Sequence, residues 1–195
     1  MERGMNTPHS YHSALNLQSA LPVWNGVLEK IYTSPGQDYW GKQGAGRFQN
    51  GINSLEEVEC VAGMGLRGDR YFGFKPDYKG QVTFLDSEVV EEVRILFKLP
   101  MLPASIFRRN LIVRGINLSE WMGKRFLFQG IEFEGSQQCK PCHWMNRVIA
   151  DGAQEFLRAN FRGGLRAKIC SSGILRVAPG QSEIANPNVN PGDSP

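Results

Sequence analysis

Glycine occupies 22 of the 195 positions, and it recurs between short runs that alternate apolar and polar residues. That share is well above the usual ~7%. A chain punctuated in this way must reverse direction every few residues, which favours short strands over a helical bundle. The alternating runs are 24–32 (WNGVLEKIY), 57–61 (EVECV), 81–85 and 110–113 (NLIV, closed by Gly115). Residues 126–128 and 131–133 read as a hairpin about Gln129 and Gly130, and 165–170 is expected to pair with 174–177 across 171–173. Residues 34–53 and 62–70 are Gly-rich and loop-like. The best helix is 87–99, where Val89, Val90, Val93, Leu96 and Phe97 recur three and four apart on one face. Asp86 or Ser87 can cap its start and Pro100 stops it. A second, shorter helix is expected over 153–161. The fold class is therefore α+β, mainly β, with a barrel-like domain and a few short helices.

The length suits one domain, placed at 23–180. A polar stretch over 1–22, rich in Asn, Ser and His, reads as a flexible N-terminal tail. The run QSEIANPNVNPGDSP over 181–195 reads as a flexible C-terminal tail. No stretch approaches the roughly 20 apolar residues of a membrane helix, so no membrane partner is expected. The 22 basic and 19 acidic residues leave a net charge of +3, and the basic residues are spread along the chain. Nucleic acid is not expected as a partner on that balance.

The four cysteines are Cys60, Cys139, Cys142 and Cys170. Residues 1–20 show no apolar secretory core, so free thiols in a reducing cytoplasm are expected. The segment Cys139-Lys140-Pro141-Cys142-His143 has c-type haem spacing, but that chemistry needs export. A zinc site needs four ligands; Cys60 and Cys170 stand alone, and His9 and His12 sit in the tail. A thioredoxin-like pair would open a helix after a crossover, whereas this pair follows a hairpin with the expected helix later. Two packed thiols are the plain alternative, against which Lys140 and Pro141 argue. A thiol in such a loop can serve as a soft metal ligand or a nucleophile.

Three basic turns accompany it: Arg67-Gly68-Asp69-Arg70, Arg108-Arg109-Asn110 and Arg162-Gly163-Gly164-Leu165-Arg166. Guanidinium groups and free backbone N–H groups at strand ends suit phosphate. Each turn alone reads as solvated surface; three beside a thiol loop point to an anionic ligand. None matches a GxxxxGK[ST] loop or a dinucleotide fingerprint. Asp69 is either a turn residue pairing an Arg or a ligand contact, and His143 either tunes the thiol or packs. Glu88, Glu91 and Glu92 read as a solvated helix face, and Trp121 as core.

In order and spacing, these pieces resemble the MOSC domains, named for the C-terminal part of molybdenum cofactor sulfurases. The segment 61–70 (VAGMGLRGDR) resembles the family's G-x-G-hydrophobic-x-G-D-R turn. Residues 109–115 (RNLIVRG) followed by Trp121-Met122-Gly123 resemble its R-N-hydrophobic strand and the turn after it. The hairpin leading to Cys139 and Cys142 resembles its C-x-x-C loop, and 163–167 and 173–177 its closing strands. The resemblance implies a barrel-like domain that binds the molybdenum cofactor (molybdopterin) or handles its sulfur. In the amidoxime-reducing component and the N-hydroxylated purine reductases one cysteine ligates molybdenum, and Cys142 matches it. The resemblance thus implies Cys142 as metal ligand and catalytic thiol. It implies cofactor-binding roles for Arg67, Gly68, Asp69, Arg70, Arg108, Arg109, Asn110, Gly163, Gly164 and Arg166. A small N-hydroxylated substrate and a separate electron-donor protein would complete an oxidoreductase. The alternatives are a sulfur carrier with a persulfide on Cys142 or Cys139, and a non-catalytic cofactor-binding module.

Overall fold

The computed structural model describes residues 21–38 and 49–179. The tails expected over 1–22 and 181–195 lie outside these residues apart from Leu21 and Pro22. In chain order the strands are β1 (Val23–Trp24), β2 (Val27–Thr33), β3 (Asn53–Leu55), β4 (Glu57–Val61), β5 (Gly65–Leu66), β6 (Val82–Asp86), β7 (Leu111–Arg114), β8 (Arg125–Phe128), β9 (Ile131–Gln138), β10 (Leu165–Ile169) and β11 (Gly173–Arg176). The α-helices are α1 (Ser87–Leu96), α2 (Trp144–Val148) and α3 (Ala153–Arg158). An eight-stranded sheet runs β1-β8-β9-β10-β6-β7-β2-β3, and a three-stranded sheet runs β11-β4-β5. The end strands β1 and β3 do not pair, so the larger sheet is barrel-like without closing. The expected mainly β class with a few short helices holds.

Two cores flank the large sheet. Phe84, Phe126, Phe128 and Phe133, all below 2% exposed, pack edge-on and tilted around Trp24 and share one core with Val58, Leu66 and Leu175 of the small sheet. The other core lies beneath the helices, where Val89, Val90 and Val93 of α1 meet Phe107, Met145 and Leu157. Packing of these stripes, more than helix propensity, holds such short helices in place. Asp86 caps α1 by accepting the Glu88 N–H at 3.0 Å. The helix ends at Leu96, not at residue 99, because Lys98 turns left-handed (φ 55°). Leu96, expected on the apolar face, is exposed.

Three other expectations change. The run 24–32 splits into β1 and β2 at Asn25-Gly26, where a Cβ on Gly26 would lie 2.8 Å from the Arg114 carbonyl. The expected pairing of 165–170 with 174–177 is replaced: β10 pairs β9 and β6, while β11 pairs β4. Between them the Cys170 and Ser171 N–H groups both donate to the Glu132 carbonyl, and Ser171 Oγ accepts from Glu132 N. These bonds carry the chain off the large sheet before it can fold back. The expected helix over 153–161 stops at Arg158, since Asn160 (φ 49°) and Phe161 (φ 62°) leave helical geometry.

Candidate functional site

The strand ends around β6, β7 and β10, with the loop after β9, surround an open cavity of about 250 Å³. Arg70, Arg108, Arg109, Lys140 and Arg166 line it, and no Asp or Glu among the described residues does. Cys139 and Cys142 form part of the same wall, with Tyr71 and Tyr78. The structure thus brings together Cys142 and four of the arginines singled out in the sequence. Tyr71, Tyr78, Gln37 and Thr83 are lining residues that the sequence reading missed. The aromatic run 71–78 directly after Asp69-Arg70 was the available signal.

The remaining residues of the basic turns build the frame. Arg67 faces away from the cavity, pairing with exposed Glu59 at 2.5 Å and lying over the Phe72 ring. That bond holds the Glu59 carboxyl below the usual carboxylate range. Gly68 supplies a turn at φ 84°. Asp69 is 6% exposed and accepts from Ser34 N, Tyr71 N and Asn110 Nδ2. Asn110 also donates to the Tyr32 carbonyl and accepts from Thr83 N and Oγ1. Its side chain therefore locks β2, β6 and the Gly68–Asp69 turn together where β7 begins. Asp69 and Asn110, with Arg70, Arg108 and Arg109, line a small crevice beside the main cavity.

Arg108 follows a 3₁₀ turn in left-handed geometry (φ 54°). Its guanidinium pairs with buried Asp38 at 3.0 Å and donates to the Gly36 carbonyl. Arg109 donates to the Gly163 and Phe107 carbonyls at 2.9 and 2.8 Å. Both are fixed by carbonyls and a carboxylate behind the wall. The Arg166 carbonyl accepts from Ser136 Oγ at 3.0 Å, but its guanidinium makes no hydrogen bond or ion pair among the described residues. Arg70 lies over the Tyr71 ring, 3.7 Å from Asp69, and its buried Nε has no hydrogen-bond partner among the described residues. These two guanidiniums retain donor capacity that an anion can take up.

Gly163 and Gly164 hold the thiol loop. A Cβ at Gly163 would stand 2.1 Å from the Cys139 carbonyl oxygen, and one at Gly164 (φ 89°) 2.1 Å from that of Phe84. The Cys139 N–H donates to the Gly164 carbonyl at 2.8 Å. Cys139 is thereby buried, whereas Cys142 is exposed. The helix α2 starts two residues after Cys142, closer than the sequence reading placed it. The His143 ring lies tilted against that of Trp144, 5.1 Å between centroids, and its buried Nε2 has no hydrogen-bond partner among the described residues. Among the described residues no three His, Cys, Asp or Glu side chains are grouped to hold a bare metal ion. One exposed thiol within a cationic wall fits a metal that arrives with most of its ligands on an anionic carrier. The donor set therefore suits the molybdenum cofactor as a guest.

Fold and cavity define a mainly β domain with a cysteine at the rim of a cationic pocket. The MOSC-domain family profile matches residues 69–194, well over half of the chain, and the protein belongs to that family. The solved structures agree at the level of fold. YuaD from Bacillus subtilis superposes with a TM-score of 0.60 at 16% identity, over 78% of this chain and 91% of that one. YiiM from Geobacillus stearothermophilus gives 0.54 at 12% identity, over 77% and 71%. YiiM from Escherichia coli gives 0.50 at 17%, over 75% of this chain and 65% of its own length. No curated protein sequence matches the chain significantly.

Proposed function

We propose that the cavity holds the molybdenum cofactor and that the protein reduces N-hydroxylated or related small substrates there. The observation that carries this reading is the exposed Cys142 thiol in a cavity whose charged described lining is wholly cationic. When bound, the cofactor would supply the two-electron redox chemistry of the metal. Cys142 would ligate the metal as a thiolate. Arg70 and Arg166, the guanidiniums with donors to spare, would hold the cofactor's phosphate, and Arg108 and Arg109 would add fixed positive charge behind them. Asp69, Asn110, Gly163 and Gly164 act one step further back, keeping those groups in register. We assign the protein to the cytoplasm, with a separate protein as electron donor.

The test is elemental analysis of protein expressed in a molybdenum-competent host, wild type beside Cys142→Ala. Near-stoichiometric molybdenum, lost in the variant, is expected. Metal-free wild type that carries a thiol-reversible extra sulfur on Cys142 or Cys139 would make it a sulfur carrier instead. Bound cofactor without turnover of N-hydroxylated bases would leave a binding module.

A further inference from the structure

The reduction proposed above has a proton requirement, and the cavity wall narrows its source. Converting R–NH–OH to R–NH₂ and water breaks the N–O bond and consumes two electrons and two protons. The electrons come from the donor protein, or from a reduced viologen dye in vitro. Carboxyl and imidazole groups, the usual proton donors, are absent from the described lining. Arg70, Arg108, Arg109 and Arg166 stay charged and donate no proton outright. The candidates left are two phenols, the Lys140 ammonium and the thiols.

Of these, Tyr78 is the phenol set beside the Arg166 guanidinium, unpaired among the described residues, in the cavity wall. Its ring lies 5.2 Å from that of Tyr71 and 5.0 Å from that of Phe74, with Lys75 Nζ 5.6 Å from its centroid. The segment is pinned on both sides of it: Asp77 pairs with Lys168 at 2.5 Å, and the Lys79 carbonyl accepts from Ser136 Oγ. Gly80 leaves the space that the phenol end needs. A Cβ there would approach Tyr78 Cζ and Arg166 Cδ to 3.4 Å each. The Tyr71 hydroxyl, on the same wall, accepts from Gln37 Nε2 at 2.7 Å and is hydrogen-bonded to the Tyr78 hydroxyl, so the two phenols form a pair with Tyr78 on the Arg166 side. Cys139 is buried, and Cys142 is taken as the metal ligand.

Resting on the reductase reading, we infer that Tyr78 is the proton donor of the reaction, giving its phenolic proton to the oxygen that leaves as the N–O bond breaks. That oxygen, keeping its own hydrogen, departs as water. The substrate nitrogen takes its proton from solvent, and solvent then reprotonates the phenolate. The groups facing Tyr78 favour this cycle. Burial and the neighbouring Tyr71 raise its pKa above the usual 10, so it is protonated at working pH. Arg166 and Arg70 act in the opposite sense and stabilise the phenolate once it forms. A phenol is a stronger acid than water, so it can give its proton to a departing hydroxyl.

The experiment compares molybdenum-loaded wild type with Tyr78→Phe, using an N-hydroxylated base and reduced viologen. Tyr78→Phe should lower kcat on the order of 10²-fold, the usual share of a general acid. Its KM, molybdenum content and calorimetric affinity for the amine product should match wild type. Should Tyr78→Phe misfold, 3-fluorotyrosine at position 78 keeps the test open: its more acidic phenol must move the alkaline limb of the kcat profile to lower pH. Full kcat in Tyr78→Phe, or an unmoved limb, overturns the assignment while the reductase reading stands. A wild type with neither molybdenum nor turnover overturns both.

Discussion

At the residue scale, the groups that hold the site are more heavily bonded than those that face its contents. Asn110 satisfies β2, β6 and the Asp69 turn at once while 7% exposed. Asn110→Ala strands several buried partners, each worth ~1–3 kcal/mol. A loss of about 3 kcal/mol is expected, a fall in Tm of roughly 6–12 °C by calorimetry. Arg166→Gln should leave Tm within about 1 °C, because its guanidinium has no partner within the described residues, yet lower the molybdenum retained on purification. The thiols should separate just as clearly. Burial, then Glu59, pushes Cys60 up to about 12. A disulfide reagent should titrate Cys142 at once, Cys170 slowly, and Cys60 and Cys139 only after unfolding. The thiol loop and the paired arginines were legible in the sequence because their residue types announce their chemistry. The roles of Asp69 and Asn110 as frame were not, since an Asp or Asn bonded to backbone looks the same in sequence as one bonded to ligand.

At the element scale, α1 shows what local pattern can deliver. Its start and cap were legible from Asp86, and its apolar stripe from the valines. Its end was not, because a left-handed Lys98 leaves no compositional mark. The cap carries a pH dependence. Burial, then the Glu88 carboxyl, pushes Asp86 up to about 7, while its ordinary value is 3.8. Between those values the folded state binds more protons than the unfolded state. The protonated cap therefore stabilises fully below about pH 4, and that contribution is lost as pH rises through 7. Asn caps as well as Asp and does not ionise. Asp86→Asn should thus match wild type near pH 4 and exceed it in Tm near pH 8. The hairpin at Gln129-Gly130 was legible for a similar local reason, a two-residue turn with both residues at positive φ. The closing strands were not: β11 chooses β4 over its sequence neighbour because Glu132 captures the intervening turn.

At the scale of the whole molecule, the cavity is a product of sheet order. Arg70, Arg109, Cys142 and Arg166 come from four separate stretches, which β6, β7 and β10 bring side by side. No single stretch contains the site; only the ordered set of motifs made it readable. Gly163 and Gly164 extend this dependence, since they seat the thiol loop on the end of β6. Gly164→Ala combines an unfavourable φ with a contact at 2.1 Å. It should cost more than about 2 kcal/mol in denaturant unfolding and speed alkylation of Cys139.

The pairing of β11 with β4 also bears on how the chain is made. Residues 57–61 must wait for a partner at 173–176, about 115 residues later. At roughly 5–20 residues per second, that is a delay of about 6–23 s during translation. Throughout it β4 has only the two-residue β5 beside it, and its other edge stays open to any passing strand. Ribosome-bound chains halted before residue 173 should therefore recruit holdase chaperones, and release of the last strand should free them.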